Sequence, residues 1–511
     1  MISLSALPRI CVALGCADVA QLRRLALDAC ESGEDFLEIR LDMLLRPESG
    51  VAVIERLLRR YPETVVLATC RRTANGGQFK GPVQQELEIL DAAVSAGAAV
   101  VDVEIETAEA APERLELFRG RTLLLLSYHN FEHTPPLARV LQRLERIPAD
   151  LYKVATMGLK QSDNLRVLEL LAKRRRIPLV AMVMGEVGLP SRILGPSRQS
   201  VFTFGSPETA PARKSAARIV GDPTAPGQIS ASVLRSRYQA HRKDSSAKVY
   251  GVIASPVGHS LSPVLHNRAF QARRVDAVYL PFLVEPPKLG DFFKVAEQLP
   301  VTGFSVTIPH KQRVIRHLET TDSLAKRIGA VNTVYRRKGK LYGTNTDVLG
   351  VTAPLEKRIP LRKASVLVAG NGGAARGAIF SLLDKGAAVT LTGRNPQRVA
   401  ALARACGVEM IERSKAAAGH YDVLVNTTPL GMAPKLSESF FSDRIPADLV
   451  FDMVYNPLET QLLRKAKAAG RETIPGIEMF VEQAAAQFEI WTGEKAPRTI
   501  MRNAVAEALG A

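Results

Sequence analysis

Cysteine is scarce in this sequence: five in 511 residues (Cys11, Cys16, Cys30, Cys70 and Cys406), with no CxxC spacing among them. That odd set, mostly in apolar stretches, excludes a disulfide scaffold and a zinc ribbon and reads as reduced thiols in a core. Aromatic residues are only 5% of the chain, too few for the stacking platforms of a single-stranded nucleic-acid binder. No run approaches the ~18 consecutive apolar residues of a membrane span. Neither HExxH nor a clustered Cys/His set occurs, so no metal is expected. The chain enters the apolar run Ile10 to Leu14 without a basic, cleavable leader, from which a cytoplasmic location is expected.

Positive charge, by contrast, is plentiful. The net charge is +17, from 68 Lys and Arg against 51 Asp and Glu. The basic residues are dispersed rather than gathered into a stripe, which favours small anionic ligands over nucleic acid or a membrane surface. The short runs Lys173 to Arg176 and Arg235 to Lys243 read as solvated helix faces or a linker. Hydrophobic residues at 46% and charged residues at 23% are the balance of a globular protein. The length implies about three domains, and the sequence leaves the oligomeric state unknown.

Up to residue 205, strand-length apolar runs recur at Ile10–Leu14, Phe36–Leu41, Val65–Thr69, Ala99–Ile105, Leu123–Ser127, Leu151–Ala155, Leu179–Met184 and Val201–Phe204. Between most of them lie amphipathic stretches such as Val19–Glu31, Gln84–Ala96, Leu137–Arg146 and Leu165–Arg174. Strand and helix in alternation imply parallel pairing, and eight units fit a (β/α)8 barrel, with an open doubly wound sheet as the alternative. Around 235–247 the sequence turns polar and basic, which marks a linker. Strands alternate with helices again from Val249, and a second α/β unit opens at Ala364. The fold class is therefore α/β: a barrel over 1–234, a linker over 235–247, a catalytic domain over 248–350 completed by helices of 475–511, and a nucleotide-binding unit over 351–474.

Barrels of this kind react at the carboxyl ends of their strands. Here those ends carry Glu38, Arg40 and Asp42, then Arg71 and Arg72, Glu104, His129 after the fifth strand, Lys153 within the sixth, and Arg192 after the seventh. Lys153 is flanked by Leu151, Tyr152, Val154 and Ala155, so desolvation would favour the neutral amine that attacks a carbonyl, and an imidazole such as His129 could move the protons. An ion-paired lysine and a satisfied core histidine are the plainer readings of the same residues.

The ordered motifs LEIRLDML, TCRRTANGG, SYHNFEHTP, DLYKVATMG, GLPSRILG and TAPGQIS resemble type I 3-dehydroquinate dehydratase over about 220 residues. The resemblance implies dehydration of 3-dehydroquinate to 3-dehydroshikimate through an imine on Lys153, with His129 transferring protons. It also implies that Glu38, Arg40, Arg71, Arg192, Thr224 and Gln228 hold the substrate. Arginine's planar fork suits a carboxylate. Two positions depart from the family pattern: Asn75 stands where a Glu is usual, and Thr224 where a Ser is usual.

From Val366 the chain reads strand, glycine turn, helix. Gly370, Gly372 and Ala375 fill a GxGxxA spacing that lets a backbone approach a pyrophosphate at a helix amino terminus. The next strand ends in Gly393 and Arg394 rather than an acid, which favours the 2′-phosphate of NADP. Upstream, GHSLSP, GFSVTIPHK, GAVNTV and GTNTD place small hydroxyls, amides, Lys311 and Asp347 at element ends, groups suited to a polyhydroxy acid. A Lys–Asp pair can exchange a proton with a carbinol while a nicotinamide exchanges hydride.

Residues 248 to 511 resemble shikimate dehydrogenase. The resemblance implies that Ser260, Ser262, Thr307, Lys311, Asn332, Asp347 and Gln483 contact shikimate, with Lys311 the acid/base and Asp347 its partner. It further implies NADP contacts from Gly370, Asn371, Gly372, Gly373, Ala374, Arg394, Asn395, Arg398, Met453, Tyr455 and Gly476. The two reactions are consecutive, so the chain reads as a fused enzyme acting on small anionic substrates. Alternatives left open are a quinate dehydrogenase specificity and a barrel that binds without catalysing.

Overall fold

The computed structural model of the chain describes residues 3–173, 177–208, 224–441 and 444–510. Most of the basic run at 173–176 thus lies outside the described residues. By density of contacts the chain divides into two units, one of 1–247 with 281–300, the other of 248–280 with 301–511.

In the first unit eight parallel strands form one sheet: β1 (Ile10–Leu14), β2 (Phe36–Arg40), β3 (Val65–Thr69), β4 (Val100–Glu104), β5 (Leu123–Asn130), β6 (Leu151–Met157), β7 (Leu179–Met184) and β8 (Thr203–Gly205). Their hydrogen-bonded order runs β7-β6-β5-β4-β3-β2-β1-β8. The seam between β7 and β8 is drawn together where Val201 N–H donates to Leu179 C=O at 3.0 Å. Both faces of these strands are buried, which is why they read as continuous apolar runs. The helices between them are one-sided: in Leu137–Leu144 the buried residues are Leu137, Val140, Leu141 and Leu144, a single stripe at helical spacing. Asp18 caps the helix Val19–Glu31 by accepting from Gln21 N–H at 2.7 Å.

Alternation along the strands sorts the side chains. One face is apolar toward the strand beginnings, where Phe36, Val65, Leu67, Val100, Leu123, Leu125 and Leu151 share one core cluster. Continued by twos, the same face presents Glu38 and Arg40, Thr69, Asp102 and Glu104, Ser127 and His129, and Lys153. The barrel interior is therefore oil at one end and charge at the other.

Three details differ from the sequence reading. Strand β5 continues to Asn130, so His129 lies within it, in register with Ala155 of β6, rather than after it. Leu41 begins a short 3-10 turn that also holds Asp42. The segment expected to be a solvated linker buries Tyr238 and Ala240, because the helix Ala231–Ser236 and its continuation pack back inward.

The second part of the chain has two sheets. One comprises β9 (Lys248–Ala254), β10 (Ala277–Leu283), β11 (Val301–Val306), β12 (Thr320–Thr321), β13 (Thr333–Arg337) and β14 (Lys340–Thr344), in the order β10-β9-β11-β13-β14-β12. Here simple strand–helix alternation fails: β13 and β14 are an antiparallel hairpin. Its turn places Lys338 (φ 49°) and Gly339 (φ 78°) in the left-handed region, the backbone that a two-residue hairpin turn requires. The other sheet is parallel: β15 (Ser365–Ala369), β16 (Ala388–Thr392), β17 (Glu409–Met410), β18 (Tyr421–Asn426), β19 (Ala447–Asp452) and β20 (Glu472–Ile474), in the order β17-β16-β15-β18-β19-β20. The helix Gly476–Thr492 then packs on the helix Asp347–Glu356.

Candidate active sites

One cavity in the barrel mouth is lined by Glu38, Arg40, Arg71, His129, Lys153, Arg192, Thr224 and Gln228, with Ala155, Met182, Met184, Phe204 and Ala225. All eight residues assigned to the dehydratase from the sequence meet there. The Lys153 ammonium is 5% exposed and lies 2.8 Å from Asp102 Oδ2, with its Nζ 4.4 Å from the centre of the Phe204 ring. A carboxylate that the sequence reading did not assign thus stands directly against this lysine. Arg71 completes the cluster, Nε donating to Glu104 Oε1 at 2.9 Å and Nη2 lying 3.5 Å from Asp102 Oδ2. Burial raises Asp102, but the Lys153 and Arg71 charges outweigh it and hold the carboxyl below its ordinary range. Burial wins at Glu104, which is pushed up to about 8 although Arg71 opposes it.

His129 is 3% exposed, with Nδ1 3.2 Å from Glu104 Oε1. Burial first, then the Arg71 and Lys153 charges, push the imidazole well below its ordinary value, so it is neutral at working pH. Arg40 is committed to a bidentate pair with Asp42 (2.9 and 2.8 Å) and to the Thr224 carbonyl (3.0 Å). Glu38 accepts from Thr69 Oγ1 at 2.8 Å, and Thr224 Oγ1 donates to Gln228 Oε1 at 2.7 Å. Arg192 is different. It is 1% exposed, donates to Pro226 C=O at 3.0 Å, and among the described residues no carboxylate pairs with it. Burial alone pushes it down to about 10, the signature of a buried cation whose counter-anion is still to come.

Asn75, where the dehydratase pattern has an acid, donates Nδ2 to Glu106 Oε2 at 3.0 Å. The glycine pair after it shapes the mouth. Gly76 has φ +75°, and a Cβ there would lie 2.2 Å from the Phe131 ring, while a Cβ on Gly77 would lie 2.0 Å from Arg71 O. Phe131 in turn stacks on His129 at 6.1 Å between ring centres.

The second site forms along the carboxyl ends of neighbouring parallel strands. β9 and β11 pair in parallel, Ile253 opposite Val306, so the turns that follow them, carrying Ser260 and Ser262 on one side and Thr307 and Lys311 on the other, leave the same edge. Lys311 Nζ donates to Asp347 Oδ2 at 2.5 Å, and Asn332 Nδ2 donates to Asp347 Oδ1 at 2.8 Å. Gln483 Oε1 is 3.5 Å from the same Asn332 Nδ2. Lys311, Asn332, Asp347 and Gln483 are thus joined by direct contacts. Ser260, Ser262 and Thr307 share the edge without a side-chain bond to that group.

Compared with known proteins, the chain is 35% identical over 497 residues to the chloroplastic bifunctional 3-dehydroquinate dehydratase/shikimate dehydrogenase of Arabidopsis thaliana, covering 92% of this chain and 80% of that protein. The chain belongs to this bifunctional family. The family described as type I 3-dehydroquinase matches residues 10–245, the shikimate dehydrogenase substrate binding domain matches 252–334, and the shikimate 5'-dehydrogenase C-terminal domain matches 476–506. An F420-dependent NADP oxidoreductase family matches 365–456. A shikimate dehydrogenase (NADP(+)) of Oleidesulfovibrio alaskensis is 44% identical over 269 residues, 51% of this chain and 96% of that one. A crystal structure of a shikimate dehydrogenase in complex with NADP+ superposes with a TM-score of 0.50 at 34% identity, over 52% of this chain and 97% of that chain.

The residues of this bifunctional enzyme fit a dinucleotide. A Cβ added to Gly372 or Gly373 would meet nothing within 4 Å, so the turn before the helix Gly373–Asp384 is open to a ligand. Gly372 caps that helix without a side-chain bond, which leaves its first-turn N–H groups for an anion. Gly370 has φ +131°, and a Cβ there would lie 2.2 Å from Thr427 Oγ1. Arg394, Asn395 and Arg398 are exposed beyond the end of β16, with Asn395 accepting from Arg398 N–H at 3.1 Å. Tyr455, after Met453, stacks on Phe480 at 4.7 Å, and a Cβ on Gly476 would lie 2.4 Å from Val454 backbone.

Sequence reasoning missed Asp102 and gave Glu104 no role. Counting by twos from Val100 would have found both on the barrel's inner face. Among the described residues no group of three His, Cys, Asp or Glu side chains is arranged to hold a metal, and no described helix is long and apolar enough to cross a membrane.

Proposed function

We propose that this chain catalyses two consecutive steps: the barrel dehydrates 3-dehydroquinate to 3-dehydroshikimate through an imine on Lys153, and the second part reduces that product to shikimate with NADPH. What supports the first step is the convergence of Lys153, a neutral His129 and an Arg192 without its own counter-anion on one cavity. Arg192 takes the substrate carboxylate, with Arg71, Glu38, Thr224 and Gln228 on the remaining polar groups, while Arg40 holds Thr224 in place through its carbonyl. Asp102 keeps the Lys153 side chain aimed at the cavity. The amine adds to the ketone and water leaves, giving an imine that draws electrons and acidifies the neighbouring C–H. His129 removes that proton and returns it to the β-hydroxyl, which departs as water, and hydrolysis of the imine by a second water frees Lys153 and the product ketone.

In the second step Lys311 exchanges a proton with the substrate oxygen, and Asp347 orients it. Asn332 fixes Asp347, while Ser260, Ser262, Thr307 and Gln483 hold the acid. NADPH, when bound, supplies the hydride. Gly370 to Ala374 admit its pyrophosphate, and Arg394, Asn395 and Arg398 receive the 2′-phosphate. Met453, Tyr455 and Gly476 would complete the NADP contacts. The functional division follows 1–234, 235–247, 248–350 with 475–511, and 351–474. The substrates are small anions, consistent with the chain's positive charge, and five free cysteines fit a reducing compartment such as the cytoplasm.

A coupled assay tests this reading. Given dehydroquinate and NADPH, the chain should oxidise NADPH and release shikimate. Lys153→Ala should abolish that flux yet retain reduction of added dehydroshikimate, and Lys311→Ala should accumulate dehydroshikimate. NADPH oxidation that continues from dehydroquinate in Lys153→Ala would overturn it.

A further inference from the structure

We propose that Gln487, which touches neither substrate nor cofactor in the reading above, is a positioning residue of the reductase: its buried amide clamps the Asn332–Thr333 pair to the helix Gly476–Thr492 and so sets the geometry of Asp347 and Lys311. The inference rests on the reading of Lys311 and Asp347 as the acid/base pair.

Gln487 is 1% exposed, and both ends of its amide are occupied. Nε2 donates to Asn332 C=O at 3.2 Å and to Thr333 Oγ1 at 3.0 Å. Oε1 accepts from Ser305 Oγ at 2.8 Å and faces His266 Nε2 at 3.3 Å. The amide has only one workable orientation. A backbone carbonyl can only accept, so the atom beside Asn332 C=O must be the NH2 group, and His266 must then carry its proton on Nε2. Tyr279 closes the far end by donating to Ser305 Oγ at 2.6 Å.

Toward the reacting groups the order continues. Thr333 Oγ1 accepts from Gln487 and therefore spends its own proton on Asn332 Oδ1, 2.7 Å away. Thr346 N–H donates to the same oxygen at 2.8 Å. With Oδ1 taken, Asn332 Nδ2 is left to hold Asp347 Oδ1 at 2.8 Å, and Asp347 Oδ2 receives Lys311 at 2.5 Å. Gln483, one helical turn before Gln487, comes within 3.5 Å of that Nδ2. Residues four apart on one helix thus address one asparagine, Gln487 at its backbone and Gln483 at its side chain. An apolar residue at 487 would keep the packing and lose the clamp, leaving Ser305 and His266 without their buried acceptor.

The test uses the full chain, whose dehydratase activity serves as an internal control for folding. Gln487→Met and Gln487→Glu, which both lack the donor, should lower kcat for shikimate oxidation about tenfold, with KM for NADP and the dehydratase rate unchanged. Thr333→Val breaks the same clamp from its other side, and stands in should Gln487→Met fail to fold. The double variant should be no slower than the slower single, as expected for groups that act as one unit. An unchanged kcat in folded variants, additive losses, or a loss shared equally by the dehydratase would each overturn the assignment. Lys311→Ala, run in parallel, separates the two levels: if it still oxidises shikimate the acid/base reading fails, whereas an inactive Lys311→Ala beside a fully active Gln487→Met overturns the clamp alone.

Discussion

Lys153 Nζ and Asp102 Oδ2 stand 2.8 Å apart inside the barrel, on strands β6 and β4, with Arg71 Nη2 3.5 Å from the same oxygen. One buried carboxylate thus serves two buried cations. Removing it leaves Lys153 without a carboxylate partner in a low-dielectric interior and leaves Arg71 with Glu104 alone. Asp102→Asn should destabilise the barrel by about 3 kcal/mol and depress dehydration, while leaving kcat and KM for shikimate unchanged. Calorimetry and the two separate assays check this.

The imidazole of His129, to which the proposed dehydration gives proton transfer, is held well below its ordinary value by burial and by Arg71 and Lys153. Because its pKa in the fold lies below the ordinary value of about 6.5, the proton-accepting form persists as pH falls through that value. The pH profile of dehydratase kcat/KM should show no inflection near 6.5 from this residue; its acid limb should lie lower. Arg71→Met removes the cation that lowers His129 most and should move that limb upward.

Gly76 gives way to the Phe131 ring, which stacks on His129. Gly76→Ala imposes a side chain at φ +75° and a contact at 2.2 Å. It should cost about 1 kcal/mol in stability from the left-handed backbone and lower dehydratase kcat roughly tenfold through the displaced ring. Rates beside a melting curve separate the two effects.

In the reductase, burial pushes His266 down to about 3. Its folded pKa lies below the unfolded value, so the stability tied to its neutral form is present above pH 6.5 and is lost as pH falls toward 3. Denaturant melts at pH 7 and pH 5 should show His266→Gln losing less stability than the parent over that interval, by about 1 kcal/mol per pH unit.

Arg394→Ala should raise KM for NADPH by roughly tenfold or more and KM for NADH far less, since only the former carries the 2′-phosphate. Initial rates with each coenzyme test it.

Parallel strands buried on both faces announce themselves as apolar runs, and seven of the eight barrel strands lie within a residue or two of where those runs suggest. The exception is β5, which runs three residues beyond Ser127 to Asn130. The site was legible where motifs carry it, Lys153 and Lys311 above all. What escaped depends on which face a residue takes. Asp102 hides in VVDVE until its parity with Val100 is counted. The β13–β14 hairpin hides because RRKGK carries four charges and no apolar residue to mark a strand, although its turn is fixed by two left-handed residues. Gln487 is an ordinary glutamine in an alanine-rich helix, and only the fold brings Asn332, Thr333, Ser305 and His266 around it.

Borohydride trapping addresses the imine most directly. Reduction of the chain in the presence of 3-dehydroquinate, followed by peptide mass spectrometry, should fix added mass on Lys153 and nowhere else, with loss of dehydratase activity and retention of shikimate oxidation. A chain that turns over dehydroquinate yet leaves Lys153 unmodified, or carries the added mass on another lysine, would contradict the assignment of that amine as the nucleophile.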